Sequence, residues 1–309
     1  MNPQIEKLIE NIEKIIVGKR NAIVMVIASM LSEGHILIED VPGVGKTRLV
    51  SALASSVDGH FNRIQLTPDI MPSDIVGFSM IDPNTRELQY KTGAAMCNFL
   101  LADEINRASP KAQSSLLEVM EERQISLDGN TMTLPKPFMV LATQNPVETY
   151  GTYHLPEAQM DRFMMKISMG YPSPEEEFDI ITRSETNQFS QKLDAVMSLD
   201  DIIRHMEAVK KVRCSDSIKK YIVELLNATR NSKLISLGAS PRAGIALLRA
   251  AKALAYIMGR EYVVPDDIRD VMPAVLSHRL MLSLHGKSAL PSAEEVLKET
   301  AKSVAVPLQ

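Results

Sequence analysis

The sequence predicts an α/β fold, with a parallel sheet sandwiched by helices, followed by a small all-α domain. Short apolar runs alternate with amphipathic helical stretches through the first half of the chain, which is typical of a parallel sheet. A glycine-rich turn joins the first of these runs to a helix. Prolines just after residue 170 end the alternation, and only helical patterns follow them.

The glycine-rich turn lies in residues 36–47, Ile-Leu-Ile-Glu-Asp-Val-Pro-Gly-Val-Gly-Lys-Thr. Its apolar start predicts a buried strand, and a helix is expected to begin near Lys46. Backbone N–H groups in such a turn point into one concavity, and the helix N-terminus adds positive potential there. The segment therefore predicts a nucleoside triphosphate site, in which Lys46 neutralises phosphate and the Thr47 hydroxyl completes a Mg²⁺ shell.

One position in this turn departs from the usual pattern. The pattern G-x-x-x-x-G-K-[ST] begins with glycine, and this chain has Asp40 there. Asp40 either distorts the loop or lies where φ is ordinary, and the sequence leaves both readings open. Pro42 and Gly43 predict a type II turn. A Gly-Lys-Thr tripeptide also occurs by chance, but the strand before it and the helix after it favour a binding loop.

Composition limits the classes of function. The 309 residues suffice for two domains, and the 45% apolar fraction is that of an ordinary globular protein. The net charge of −4 gives no general attraction for nucleic acid or an anionic membrane. Two isolated cysteines, Cys97 and Cys214, indicate a reducing compartment. The chain shows no signal peptide and no apolar run long enough to span a bilayer, so we expect a cytoplasmic protein without direct membrane insertion.

A pair of carboxylates follows the apolar run at residues 99–102. Asp103 and Glu104 come directly after this predicted strand, and the carboxyl end of a strand is where open α/β sheets bind ligands. Asp103 is expected to hold Mg²⁺ through water, and Glu104 to accept a proton from the attacking water. Acidic pairs at strand ends are often simple caps, so the assignment depends on the glycine-rich turn.

The next predicted strand, residues 138–144, also ends in polar side chains. Asn145 precedes Pro146, which restricts Asn145 to an extended conformation and fixes the direction of its amide. A side chain that senses water or the γ-phosphate is one interpretation. A plain Asn-Pro turn is the other.

Two hairpins interrupt the alternating pattern. The first is predicted from strands at 76–81 and 87–90, joined by Asp-Pro-Asn-Thr. The second is predicted from strands at 124–127 and 131–134, joined by Asp-Gly-Asn. Both are expected to project from the core, either as functional inserts or as surface decoration.

Tyr-Pro-Ser-Pro at residues 171–174 is the best domain boundary in the chain. We therefore assign residues 1–172 to a nucleotide-binding domain with two hairpin inserts, and 173–309 to a helical lid domain. One lid helix begins at Ser-Pro-Arg, residues 240–242. A cation in the first turn of a helix opposes the helix dipole, so Arg242 is either solvated or close to an anion.

Five segments in order resemble the MoxR family of AAA+ ATPases, in its helix-2-insert clade. These are VPGVGKT at 41–47, LADEINR at 101–107, ATQNP at 142–146, LPEAQMDRF at 155–163 and SPR at 240–242. The match runs from about residue 17 to residue 280, nearly the whole chain. Both hairpins fit the inserts of that clade. The ordered set is specific, although no single segment decides the family.

The resemblance implies a role for each matching residue. Lys46 and Thr47 match the phosphate and Mg²⁺ residues of Walker A, and Asp103 and Glu104 match Walker B. Asn145 matches sensor 1, Arg162 the arginine finger that acts on ATP held by a neighbouring subunit, and Arg242 sensor 2. The catalytic residues implied are thus Glu104, Asn145 and Arg162, and the metal ligands Thr47 and Asp103. The nucleotide-binding residues implied are Val17, Gly18, Gly43, Val44, Gly45, Lys46, Thr47, Arg48 and Arg242.

The resemblance also implies a homo-oligomer, commonly a ring of six, and ATP with Mg²⁺ as cofactors. The clients expected from it are proteins with von Willebrand factor A domains, which the ring remodels or matures. The segment 91–96 and His154 depart from the family pattern, and these departures concern partner contacts more than hydrolysis. A nucleotide-gated assembly scaffold with little turnover is the alternative. A nucleic-acid motor conflicts with the acidity of the chain.

Overall fold

The computed structural model describes residues 1–41, 43–84, 86–146, 152–185 and 193–307. Within these ranges the chain forms four sheets, of which the largest has five strands. In chain order the strands are β1 Ile36–Glu39, β2 Phe61–Gln65, β3 Gly77–Ile81, β4 Leu88–Thr92, β5 Phe99–Asp103, β6 Gln124–Leu127, β7 Asn130–Thr133, β8 Met139–Gln144, β9 Met165–Ile167, β10 Ile235–Leu237 and β11 Met281–Leu282.

Helices flank and follow this sheet, and most begin with a recognisable cap or proline. In chain order they are α1 Pro3–Glu13, α2 Arg20–Leu31, α3 Lys46–Ser56, α4 Pro72–Val76, α5 Pro110–Glu122, α6 Glu157–Met160, α7 Pro174–Glu185, α8 Leu199–Lys211, α9 Asp216–Asn231, α10 Pro241–Ile257, α11 Pro265–Leu276, α12 Leu284–Ala289 and α13 Ala293–Ala301.

The central sheet has the order β2-β5-β8-β1-β9, and its neighbouring strands all run parallel. Since parallel neighbours need crossovers, their connections carry helices to the two faces of the sheet. The order places β8 between β1 and β5. The carboxyl ends of these three strands therefore meet at one edge, where the sequence predicts the phosphate loop, the carboxylate pair and Asn145.

Alternate residues of the strands feed two separate cores. Ile36, Ile38 and Leu101 lie in a core that also holds the buried faces of α1, α2, α3 and the later helices. Leu37 and Leu100 point the other way, into a core completed by α5 and the segments before it. Because side chains alternate along a strand, a sheet covered on both faces needs apolar residues at every position. The predicted α/β sandwich is confirmed.

Both predicted hairpins are present as antiparallel pairs. β3 pairs with β4 through Gly77 to Ile81, and β6 pairs with β7 through a turn in which Asp128 and Gly129 have positive φ. Positive φ at both central residues is typical of the tight turn that joins two strands with right-handed twist.

The second half of the chain is mainly helical, with additions that the sequence pattern does not predict. Ser173 and Glu176 form a reciprocal cap at the start of α7, at the predicted boundary. β10 and β11 form a small antiparallel sheet among the helices. Strands of three and two residues are too short to show a period, which explains why the pattern missed them.

His35 ties the start of β1 to neighbouring elements. Its Nδ1 accepts a hydrogen bond from the backbone N–H of Val140 at 2.9 Å, and its Nε2 donates to the carbonyl oxygen of Met120 at 2.9 Å. This pattern requires the neutral ring. Burial, aided by the charge of Arg123, lowers the pKa of His35 from 6.5 to about 4.

We expect acid to destabilise the protein partly through His35. Neutral His35 contributes its full stability above pH 6.5, the unfolded pKa, and this contribution falls as pH drops from 6.5 towards the folded value of about 4. Between pH 7 and pH 5 the loss is about 2 kcal/mol. Urea unfolding at the two pH values measures this loss of unfolding free energy. A folded His35→Asn variant lacks the titrating group, so its loss should be smaller by about 2 kcal/mol. An identical loss in both proteins would contradict the assignment.

Candidate nucleotide-binding site

A cavity of about 460 Å³ opens at the carboxyl edge of β1, β8 and β5. Seven of its residues come from the predicted phosphate loop, carboxylate pair and Asn145, and four come from elsewhere. The lining residues are Gly43, Gly45, Lys46, Thr47, Arg48, Arg63, Gln65, Asp103, Glu104, Thr143 and Asn145. The sheet therefore brings together three motifs that are spread over about a hundred residues of the chain.

The loop after β1 has a backbone that favours glycine. Gly43 has φ +89° and Gly45 has φ +94°, and a Cβ at either position would meet no atom within 4 Å. The requirement is therefore conformational and not steric. Gly45 is the residue before α3, so the free N–H groups of the first turn face the cavity edge. Lys46 Nζ donates to the carbonyl oxygen of Asp40 at 2.9 Å, and Pro42 lies outside the described residues.

Asp40 leaves the loop backbone ordinary and serves a different purpose. It is absent from the residues with positive φ, so glycine is not required there. Its buried carboxylate accepts hydrogen bonds from Ser168 Oγ at 2.8 Å, from Gly170 N at 3.2 Å and from Met169 N. The side chain thus points away from the loop and fastens the chain after β9 to the end of β1. The structure thus supports the second interpretation of Asp40, in which its φ is ordinary and the loop is not distorted.

Thr143 organises the carboxylate pair. Its hydroxyl donates to Asp103 Oδ1 at 3.0 Å and accepts from the backbone N–H of Glu104 at 2.9 Å. One side chain therefore fixes the direction of Asp103 and the position of Glu104. The other carboxylate oxygen of Asp103 accepts from Arg63 Nε at 2.7 Å.

The donor set at this edge fits Mg²⁺. The Thr47 hydroxyl and the Asp103 carboxylate both line the cavity, and both are hard oxygen ligands. Magnesium keeps several waters and takes few protein ligands, with substrate phosphates completing its shell. Among the described residues no group of three or more His, Cys, Asp or Glu side chains is placed to hold a metal ion.

Glu104 has an unusual backbone conformation. Its φ of 57° and ψ of 51° are left-handed, although it is not glycine. Such a conformation costs of order 1–3 kcal/mol and is concentrated at functional sites. Glu104 Oε2 accepts a hydrogen bond from Arg107 Nη1 at 3.0 Å, and the side chain still lines the cavity.

Asn145 lies at the end of β8, between the loop after β1 and Glu104 after β5. It is 7% exposed and contributes to the cavity wall. The site interpretation of Asn145 therefore has geometric support, although Asn-Pro also ends the strand. Residues 147–151 lie outside the described part of the chain.

Arg162 and Arg242 line a different cavity, of about 400 Å³. Arg162 Nη2 lies 3.1 Å from Glu121 Oε2, and Arg242 Nη2 lies 3.3 Å from Glu121 Oε1. Arg242 Nε also lies 3.8 Å from Asp161. Arg242 therefore has the nearby anions that its place in the first turn of α10 requires. This arginine cavity and the cavity at the sheet edge share no lining residue.

Val17 and Gly18 also lie outside the wall of the sheet-edge cavity. Gly18 has φ +70°, and a Cβ there would overlap the side chain of Glu176 at the start of α7. Lys19 Nζ donates to the carbonyl oxygen of Tyr171 at 2.8 Å. The segment thus contacts the junction between the sheet and α7. Val44 is half-buried against the main core and is not part of the cavity wall.

Arg63, Gln65, Thr143 and Glu121 were not predicted from the sequence. Arg63 and Gln65 reach the site because β2 pairs with β5, opposite Leu101 and Asp103. A sequence pattern does not show which strands pair. The role of Thr143 could have been predicted from its position, because it stands two residues before Asn145 at the end of the same strand.

The fold and this edge define a phosphate-loop nucleotide-binding protein. Residues 35–165 match the ATPase family associated with various cellular activities (AAA), and residues 227–305 match the AAA lid domain. A crystal structure from Cytophaga hutchinsonii, of a protein provisionally classed as an ATPase, superimposes with a TM-score of 0.92 at 39% identity, covering 99% of this chain and 95% of that one.

Curated relatives agree with these matches. The chain is 48% identical to the uncharacterised protein YeaC of Bacillus subtilis, over 100% of this chain and 97% of YeaC. It is 42% identical to the chaperone MoxR1 of Mycobacterium tuberculosis, over 98% of this chain and 82% of MoxR1. It is 30% identical to MoxR of Methylorubrum extorquens, over 88% and 85%. The chain belongs to the MoxR family of AAA+ ATPases, and it is an ATP hydrolase.

We expect the hydrogen bonds of the Asp40 carboxylate to stabilise the folded protein. Asp40→Ala removes a charged acceptor and leaves the buried N–H of Met169 and the half-buried N–H of Gly170 without it, so we expect a loss of about 2–4 kcal/mol of unfolding free energy. Urea denaturation measures this loss. Asp40→Asn keeps one acceptor oxygen and should lose less. An alanine variant as stable as the parent would show that these hydrogen bonds contribute little.

Proposed function

We propose that this protein is a Mg²⁺-dependent ATPase that works as a ring and acts as a chaperone-like remodeller of partner proteins. One observation carries the proposal: Arg162 and Arg242 lie together in a cavity separate from the one that holds Lys46, Asp103 and Glu104. We take Arg162, the predicted arginine finger, to act on a nucleotide held by another subunit, and we extend this role to Arg242, the predicted sensor 2, because it lines the same cavity. The chaperone role is supported by the name of the relative MoxR1.

Each residue of the sheet-edge cavity has a role in this proposal. Lys46 binds the β- and γ-phosphates, and Thr47 and Asp103 would hold Mg²⁺, which would supply positive charge beside the phosphate oxygens. Glu104 accepts the proton of the attacking water. Asn145 orients that water or the γ-phosphate. The hydroxyl of Thr143 keeps Asp103 and the backbone of Glu104 in position.

The contribution of a neighbouring subunit is large. An arginine supplied in trans accelerates phosphoryl transfer roughly 10³–10⁵-fold, which corresponds to about 4–7 kcal/mol of barrier. A contact that joins the sheet-edge cavity of one subunit to the arginine cavity of the next is head-to-tail. Such contacts close into rings when the rotation between subunits permits, and we propose a hexamer.

The first hairpin offers a contact surface for a partner. Phe78, Ile81 and Leu88 are exposed, and Ile81 and Leu88 are 65% and 63% accessible. Large apolar side chains at the end of a projecting hairpin are typical of interaction sites. We propose that partners with von Willebrand factor A domains bind the ring. No described helix is long and apolar enough to cross a membrane, and the cytoplasmic location stays a prediction.

Two structural observations count against the alternative function, a nucleotide-gated scaffold. Asp40 and the unusual 91–96 segment are the sequence features that favour a scaffold. Asp40 has ordinary φ, and its carboxylate binds the chain after β9. Residues 91–92 end strand β4, so the segment begins in the hairpin and not at the phosphate loop.

Glu104→Gln should retain ATP binding and lose at least about 100-fold in turnover, because the amide cannot accept the proton. Phosphate release and the affinity for a fluorescent ATP analogue measure the two properties. Glu224→Gln, which changes an exposed carboxylate on α9, should match the parent in both. Parental turnover in Glu104→Gln would remove the general base from the proposal.

Mixing two inactive variants tests the shared site directly. Arg162→Ala lacks the cation for its neighbour, and Lys46→Ala lacks phosphate binding in its own cavity, so each alone should lose about 10³-fold or more in turnover. In a mixture, some seams join an intact Lys46 to an intact Arg162 and should recover activity. Recovery that depends on the mixing ratio supports the proposal. If Arg162→Ala alone hydrolyses ATP at the parental rate, the arginine-finger assignment is wrong.

A further inference from the structure

Glu121 joins the two arginines of the proposed trans site. It lies in the last turn of α5, and its two carboxylate oxygens divide between them: Oε2 lies 3.1 Å from Arg162 Nη2 and Oε1 lies 3.3 Å from Arg242 Nη2. These groups come from distant parts of the chain, since Arg242 belongs to α10 and Arg162 follows α6. Glu121 is therefore one of the points at which the sheet domain and the helical part share a charge contact.

The charges around the arginine cavity leave an excess of cations. Five of its lining residues are arginine, namely Arg123, Arg162, Arg242, Arg249 and Arg279, and three are Glu33, Glu121 and Asp161. Two of the acids have other partners in the structure. Asp161 accepts from the buried Arg279 at 2.6 Å, and Glu33 lies 2.9 Å from Lys210. Within the described residues, Glu121 forms ion pairs with Arg162 and Arg242.

We propose that Glu121 is an internal counter-ion that competes with the triphosphate of a neighbouring subunit for Arg162 and Arg242. This inference rests on the proposed function, because it takes those arginines to act in trans. In the separate subunit Glu121 contacts both guanidinium groups and offsets part of their positive charge. On assembly the γ-phosphate takes its place, so Glu121 sets the subunit concentration at which the shared site forms.

The chemistry of the two acceptors supports competition. Carboxylate and phosphate bind the same guanidinium N–H groups, and each arginine presents its Nη2 to Glu121. A triphosphate brought to these groups while Glu121 remains there also meets a like charge, which is unfavourable. Either the carboxylate turns away, or the approach is weakened.

The ion pairs of Glu121 are weak enough to be broken when subunits assemble. The side chains of Glu121, Arg162 and Arg242 are 38%, 30% and 56% exposed, so water screens both pairs. An exposed ion pair changes an equilibrium only a few-fold. The γ-phosphate carries more negative charge and more acceptor oxygens than one carboxylate, so it displaces Glu121 from the two arginines. By contrast, Arg279 is 4% exposed and holds Asp161 as a fixed pair beside the site.

The test is the dependence of ATPase activity on protein concentration at saturating ATP. Glu121→Gln keeps the shape of the side chain and removes its charge. We expect the half-maximal protein concentration to fall by about three- to tenfold, because two exposed pairs no longer oppose assembly. Turnover at saturating protein should stay within about twofold of the parent, because the phosphate has already displaced Glu121 there. Glu118→Gln makes the same charge change on α5 outside the cavity wall and should leave the curve unchanged.

A second measurement does not depend on hydrolysis. Sedimentation of the Glu104→Gln variant with ATP gives the protein concentration at which half of the subunits are assembled. Adding Glu121→Gln or Glu121→Ala to this variant should lower that concentration by the same factor, about three- to tenfold. An unchanged midpoint overturns the proposal. A lower turnover at saturating protein also overturns it, since Glu121 would then hold the arginines in a productive position.

The failure of this inference and that of the proposed function give different results. If Arg162→Ala keeps parental turnover, the shared site itself is wrong. If Arg162→Ala loses turnover while Glu121→Gln leaves both concentration curves unchanged, only the counter-ion role is wrong.

Discussion

The alignment of three parallel strand ends determines what this molecule can do. β8 lies between β1 and β5, so the loop after β1, the amide after β8 and the carboxylates after β5 open into one cavity. Thr143 then joins the last two of these strands, by one hydrogen bond to the Asp103 side chain and one from the Glu104 backbone. Both cores serve this alignment, because apolar residues on the two faces of the sheet hold the strands in register.

The helical part completes the molecule in a different way. It packs into the same core as α2 and brings Arg242 beside Arg162, at a cavity with its own wall. Under the proposed function, nucleotide chemistry is divided between these two surfaces of one chain. Hydrolysis would then depend on the presence and orientation of a neighbouring subunit.

Much of this arrangement could be predicted from the sequence, because the relevant physics is local. The strand, loop and helix around Lys46, the run before Asp103 and the turn at Asp128 each depend on residues within one short segment. The pairing of β2 with β5, which brings Arg63 to Asp103, depends on residues far apart in the chain. So does the meeting of Glu121 with Arg242. The direction of the Asp40 side chain could not be predicted either, because its partners lie more than a hundred residues later.

Asp40 connects two segments of the chain, one through its backbone and one through its side chain. Its carbonyl oxygen holds Lys46 at the loop, and its carboxylate grips residues 168–170, just before the helix that abuts Gly18. A phosphate that draws Lys46 away alters only the first of these attachments. The second remains in place, so a displacement of the loop would be transmitted through Asp40 to residues 168–170, four residues before the start of α7.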